Sequence, residues 1–244
     1  MNNQTIEKMK LMRFHGMQQA FETALQTGKN NDFTTDELLS YLIDAEWTDR
    51  ANRKIDRLIK SARFRYSASI EDINYAPDRN LDKNMVLRLA NCQFIDRGEN
   101  LIITGATGVG KSHLASAIGY QACMKGHKVL YLSTGKLFSR LKMSKADGSY
   151  MKELNRIEKQ DLIVIEDLGL QPIDKQNQLY FLDIIEDRHG KKSTILTSQI
   201  PVNKWHDLIE DSTIADAILD RIVHTAHRIE MKGESMRKKK AINK

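Results

Sequence analysis

Apolar residues recur at intervals of three and four through the first quarter of the chain. Leu11, Phe14, Met17, Ala20, Phe21, Ala24 and Leu25 fall on one face of a helix. Gly28 and the polar Lys-Asn-Asn after it end that helix. Thr35 can cap the next, whose apolar positions are Leu38, Leu39, Leu42, Ile43, Ala45 and Trp47. No Gly or Pro interrupts the run into residues 50–65, where Ala51, Ile55, Leu58 and Ala62 share one face while Arg50, Arg53, Arg57 and Lys60 share another. The periodicity breaks over residues 67–80, which include Pro77, and this stretch reads as a linker. After it, short apolar runs at 101–104, 129–132, 162–165, 194–197 and 228–231 alternate with helical segments, notably 112–125 and 177–188. Runs so short and apolar predict strands buried on both faces. Their alternation with helices predicts an α/β fold with a five-stranded parallel sheet, preceded by a small all-helical domain. No internal repeat is evident.

Composition narrows the class without naming a function. The chain has 244 residues, 41% hydrophobic and 29% charged, with 13 Gly and 3 Pro, which excludes collagen-like and low-complexity classes. Its apolar runs fall far short of the roughly 18 residues that a membrane span needs. The N-terminus lacks a basic-then-apolar targeting pattern. Cys92 and Cys123 have no metal-type spacing, and a reducing cytoplasm is the expected compartment. The formal charge of +6 is unevenly placed. Residues 50–65 hold seven bases and one acid, residues 228–244 hold seven bases and two acids, and the remaining 211 hold 24 bases and 29 acids. A mildly acidic body thus carries two concentrated basic segments, the pattern of a protein that meets phosphate-bearing partners. Arg50, Arg53, Lys54, Arg57, Lys60 and Arg63 are the candidate DNA-binding residues.

The sharpest motif is Gly105-Ala106-Thr107-Gly108-Val109-Gly110-Lys111-Ser112, a complete phosphate-binding loop between an apolar strand and a helical segment. The glycines let consecutive amides point inward at a β-phosphate. Lys111 brings a mobile positive charge to the β- and γ-phosphates, and the Ser112 hydroxyl can join a Mg²⁺ shell. His113 follows directly and completes the nucleotide-binding segment. The run 162–165 ends in Glu166 and Asp167, giving a carboxylate for Mg²⁺ and a neighbour to polarise water. Neighbouring strand residues point oppositely, so both can act only if the chain turns there; Gly169 permits that. A guanine-reading Asn-Lys-x-Asp is absent, since residues 203–206 read Asn-Lys-Trp-His. The paired acids favour ATP hydrolysis over a small-molecule kinase. No metal spacing joins His113, His206, His224 or His227.

The strings 105–115, 165–169, 197–201 (Thr-Ser-Gln-Ile-Pro), 217–224 (Ala-Ile-Leu-Asp-Arg-Ile-Val-His) and 232–237 (Lys-Gly-Glu-Ser-Met-Arg) resemble the IstB-type helper ATPases of insertion sequences. The resemblance covers nearly the whole chain. Related AAA+ proteins of the DnaC helicase-loader and DnaA initiator type share the core motifs. It implies an AAA+ ATPase using ATP and Mg²⁺, stimulated by DNA, that assembles as a homo-oligomer on double-stranded target DNA, deforms it, and recruits and stimulates a transposase. With the periodicity break at 67–80, it gives a division into residues 1–66 (helical, binding DNA or a partner), 67–80 (linker), 81–232 (ATPase) and 233–244 (basic tail). Residue by residue, it makes Ser198 and Gln199 the polar sensor, Arg221 the arginine finger reaching a neighbouring subunit's ATP, and Arg237 a second sensor in cis. One departure stands out: the family's acidic pair usually begins with Asp, and Glu166 carries an extra methylene that moves the carboxylate outward by about one bond; Glu can still bind Mg²⁺, so normal and slowed turnover both stay open under strict Mg²⁺ geometry. The competing readings are a DnaC-like loader whose N-terminal helices grip a helicase, and a solitary phosphoryl-transfer enzyme.

Overall fold

The computed structural model describes residues 2–28, 32–224 and 226–236, in two compact units, Met1–Arg57 and Leu58–Lys244. The first unit is helical throughout. It contains α1 (Asn2–Leu11), α2 (His15–Thr27) and most of α3 (Thr35–Ala62). Gly28 closes α2 in the left-handed region, at φ 71°. The cap of α3 is Thr34, one residue ahead of the expected Thr35. Its Oγ1 accepts from the Glu37 amide at 3.3 Å, while the Glu37 carboxylate accepts from the Thr34 amide at 2.8 Å, a reciprocal capping box. Gly16 lets α2 approach α3 so closely that a Cβ there would meet the Ala45 backbone. The apolar pattern is only partly buried: Ala20, Ala24 and Leu42 are interior, whereas Leu11, Leu39, Ile43 and Trp47 are exposed.

The second unit is a three-layer sandwich. Strands β1 (Asn100–Gly105), β2 (Val129–Ser133), β3 (Leu162–Leu168), β4 (Ser193–Ser198) and β5 (Ala226–Met231) form one sheet in the order β2-β3-β4-β1-β5, every pairing parallel. Alternate residues feed two cores. Leu101, Ile103, Leu162, Val164 and Ile195 pack under α4 (Lys83–Ala90), α5 (Gln93–Asp96) and α6 (Lys111–Met124). Ile102, Ile163, Ile165 and Leu196 pack on the other face, under α7 (Thr134–Ala146), α9 (Lys175–Arg188) and α10 (Ser212–Val223), with α8 (Tyr150–Glu158) between α7 and β3 in the chain. The edge strand β5 is half exposed, which explains why Arg228 and Glu230 interrupt its apolar run.

The stretch 67–80, expected as a linker, is packed. Ala68, Ile70 and Ile73 are buried in the α6-side core, and Pro77–Arg79 form a 3₁₀ turn. The last turns of α3 join the same core through Leu58, Ile59 and Ala62, so the division between the units falls inside α3 rather than at residue 66.

Candidate functional site

The C-terminal edge of a parallel sheet, beside its first strand, is where such folds gather ligands. Here β1 runs into the Gly-rich loop and α6 leaves it. The loop is held from two sides. Gly105, at φ 145°, lies so near the Met231 carbonyl that no Cβ could fit, and Gly108, at φ 84°, lies equally near Ser235. The Met236 amide donates to the Gly108 carbonyl at 2.9 Å, and the Lys232 amide donates to the Arg79 carbonyl at 3.0 Å. Arg79, itself buried, donates to the carbonyls of Val109 and of Asn74. Residues 74–79 and 232–236 thus brace the loop between them, and burial lowers the Arg79 pKa.

A cavity of about 340 Å³ opens over the loop. The expected residues Thr107, Gly108, Gly110, Lys111, Ser112, His113, Asp167 and Gln199 line it. Lys111 Nζ donates to the carbonyls of Gly105 at 2.7 Å and Ala106 at 2.9 Å, so the charge is already folded over the loop. Gln199 Oε1 accepts from the Thr107 hydroxyl at 2.6 Å, joining the end of β4 to the loop. The two acids are separated by the backbone. The β3–β4 register shifts between Ile165 and Leu168, and Asp167 adopts φ 60°. The turn therefore occurs at Asp167 itself, ahead of Gly169. It points Asp167 into the cavity and leaves Glu166 beneath, 1% exposed. Thr197 Oγ1 accepts from the Asp167 amide at 3.2 Å, and Thr134 Oγ1 donates to the Glu166 carbonyl at 2.7 Å, fixing the turn from two strands' ends.

Glu166 Oε1 is buried without a hydrogen-bond partner among the described residues. Its neighbour Tyr131 has its phenol pKa pushed up, by burial first and by the Glu166 carboxylate second. Glu166, at the end of β3, and Ser112, at the start of α6, offer a carboxylate and a hydroxyl, hard-oxygen donors of the kind that fit Mg²⁺.

Other expected residues lie elsewhere. Ser198 is fully buried, with its Oγ donating to the Leu168 carbonyl at 2.7 Å and accepting from the Ile200 amide at 3.0 Å, so it shapes the turn after β4 and does not face the cavity. Arg221 sits on α10. Its Nη2 pairs with Glu186 at 3.2 Å, and its backbone carbonyl accepts from Asn100 Nδ2 at 3.4 Å, at the far end of β1 from the loop. Within one chain it is remote from Lys111. Arg237 lies outside the described residues. Of the basic α3 residues, Arg50 and Arg53 pair with Glu46 and Asp49, at 2.6 Å in the shortest contact of each. Lys54, Arg57 and Lys60, and Arg63 just past the helix end, are exposed and meet no acid among the described residues.

Sequence reading missed Arg65, Tyr66, Asn74, Arg79, Met231 and Met236, all of which line the cavity. Only charge or proximity to a motif could have flagged them, because the contacts are made across distant parts of the chain.

Residues 7–243 match the family described as IstB-like ATP binding protein. This chain belongs to that family. As an IstB-like protein it is 40% identical, over 96% of both chains, to a protein of Sinorhizobium fredii named as an insertion-sequence ATP-binding protein. Among solved structures, the AMPPCP-bound DnaA of Aquifex aeolicus superposes with a TM-score of 0.59 at 20% identity, covering 75% of this chain and 57% of that one. The DnaC helicase loader gives 0.55 at 24%, covering 68% and 98%. These likenesses place the sheet and its helices in the AAA+ fold. Among the described residues, no helix of this IstB-like protein is long and apolar enough to cross a membrane.

Proposed function

We propose that the protein is an ATP-hydrolysing helper of insertion-sequence transposition. It oligomerises on duplex target DNA, deforms it, and recruits and stimulates a transposase. The observation that carries this reading is the cavity in which Lys111 and Ser112 from the loop face Asp167 and Gln199 from the ends of two adjacent strands. A triphosphate laid along the loop has cationic and amide donors on one side and a carboxylate with a polar amide on the other. That is the arrangement needed to bind a nucleotide and orient water at its end.

The residues divide the work. Lys111 exchanges its loop carbonyls for β- and γ-phosphate oxygens. Asp167, held outward by its positive φ, accepts a proton from attacking water, and Gln199 orients that water. Ser112 and Glu166 would hold Mg²⁺, which when bound neutralises charge developing on the phosphates. Arg221 would exchange Glu186 for the nucleotide of a neighbouring subunit. DNA meets the exposed cations of α3, through backbone contacts that are sequence-independent and salt-sensitive.

The test is a gel-shift series on duplex DNA across salt and nucleotide, with subunit number measured in parallel. Assembly on DNA that requires ATP and weakens steeply with salt supports the reading. Duplex affinity indifferent to both removes it, and binding of a replicative helicase in place of a transposase would substitute the loader reading.

A further inference from the structure

Arg65 is the last of the seven bases in residues 50–65, yet it lies three residues beyond the end of α3 and turns toward the acids Glu166 and Asp167. The chain leaves α3 through Arg63, at φ 59°, and Phe64 packs edge-on against Tyr131 at 5.9 Å. Arg65 Nη1 then lies 3.4 Å from Glu166 Oε2 and 3.7 Å from Asp167 Oδ2. Its guanidinium also stands over the Tyr66 ring at 5.5 Å, and that ring contacts His113 of the loop helix at 6.4 Å. One nitrogen thus serves two carboxylates.

Three features of this contact decide its role. Glu166 is buried beside Tyr131, and a buried carboxylate left without a charge partner is strongly unfavourable, so a nearby cation favours it. The N–O distances are well beyond the 2.7–2.9 Å of a tight charge-assisted bond, so the guanidinium is shared and loosely held. The Arg65 side chain remains 47% exposed, with an aromatic face to rest on, so it can leave the acids without being stranded.

We propose that Arg65 is a built-in counter-ion of the Glu166–Asp167 pair, a positioning residue that the metal-bound nucleotide must displace. This rests on the nucleotide reading of the cavity and adds regulation to it: the acids are neutralised until Mg²⁺ arrives with phosphate. Arg65 and the metal compete for the same negative charge, so Arg65 sets how much Mg²⁺ is needed to load the site.

The experiment measures binding of a fluorescent, non-hydrolysable ATP analogue to the full chain as Mg²⁺ is raised, for wild type, Arg65→Gln and Arg65→Lys. Thermal melting without Mg²⁺ accompanies it. Arg65→Gln is expected to lower the half-saturating Mg²⁺ about fivefold, the size of a partly exposed ion pair. Its melting temperature without Mg²⁺ falls and is recovered when Mg²⁺ and nucleotide are added. Arg65→Lys, which keeps the charge but not the fork, lies between. A midpoint that is unchanged or raised in both variants overturns the proposal, because a residue that merely supports the fold or orients Glu166 would give that result. If Arg65→Gln does not fold, the lysine variant alone decides by the same direction of shift. Failure of the wild-type chain to bind the analogue at any Mg²⁺ concentration would instead remove the nucleotide reading beneath it.

Discussion

The cations of α3 and those around the phosphate loop are the same residue types in opposite circumstances. Lys54, Arg57 and Lys60 stand exposed, as does Arg63 just past the helix, and no acid meets them among the described residues. Lys111, Arg65 and Arg79 are each already engaged by the chain's own oxygens. A diffuse polyanion whose phosphates arrive in no fixed place would be met by such exposed charges, and its affinity would be a salt-dependent sum. A single triphosphate would meet charges gathered around one cavity, Lys111 among them, so little ordering of distant side chains would accompany binding. On this reading, loss of any one helix cation is expected to cost little, whereas loss of Lys111 is expected to cost the loop much.

The largest effect that separates the two regions is catalytic. Asp167→Asn keeps the side chain's shape but would remove the proposed proton acceptor, and ATP turnover is then expected to fall by about 10²–10⁴-fold with nucleotide affinity nearly unchanged. Ser198→Ala is the control. Because its hydroxyl bonds to Leu168 and Ile200 and not to the cavity, it should cost stability and leave the rate of the folded fraction within a few-fold. Steady-state kinetics on both variants decide this, and equal rate losses would return Ser198 to the site.

Next comes Lys111→Ala, which should weaken nucleotide binding by about 100-fold, the cost of removing one partner of a desolvated charge pair. Titration calorimetry checks it. Reversing Lys54, Arg57 and Lys60 together to Glu should leave that nucleotide affinity unchanged while lowering duplex DNA affinity. Neutralising these charges alone should lower the salt slope by about three. Nucleotide affinity that falls with the helix charges would erase the distinction between the regions.

How far the sequence reading reached depended on range. Four strands were legible because each is buried on both faces and carries a short apolar core, Ile195 and Leu196 flanked by threonines in β4, and the loop because its glycines and Lys111 fall at fixed short spacings. The fifth strand showed through despite Arg228 and Glu230 because Ile229 and Met231 still alternate inward. What stayed hidden was tertiary. Nothing local distinguishes Arg65 from Arg63, yet one meets Glu166 and the other meets no acid among the described residues. Residues 67–80 looked like a linker because their apolar side chains fit no helical or strand period, although Ala68, Ile70 and Ile73 are core. Ser198 and Gln199 were read as one sensor, and only the strand's direction shows that the first faces the turn and the second faces the loop. The exposed Leu39, Ile43 and Trp47 share α3's apolar character without sharing its burial, a distinction periodicity alone does not make.

The smallest effect probes how α3 spends its charge within its own unit. Glu46 is buried, and its Oε2 accepts from the amides of Gly16 at 2.9 Å and Met17 at 3.2 Å, capping α2 from a neighbouring helix, while its Oε1 takes Arg50 at 2.6 Å. Burial works against the carboxylate, but Arg50 and the two amides outweigh it and hold its pKa below the ordinary 4.5. A depressed folded-state pKa means the stabilisation is present above 4.5 and is lost as pH falls through the lower folded value. Glu46→Gln should therefore destabilise the helical unit by about 1 kcal/mol at neutral pH, the worth of a helix cap, with the difference from wild type fading in acid. Hydrogen exchange at the Gly16 and Met17 amides reads it directly. Protection that drops equally at pH 3 and pH 7 would show that the side chain's shape matters there and its charge does not.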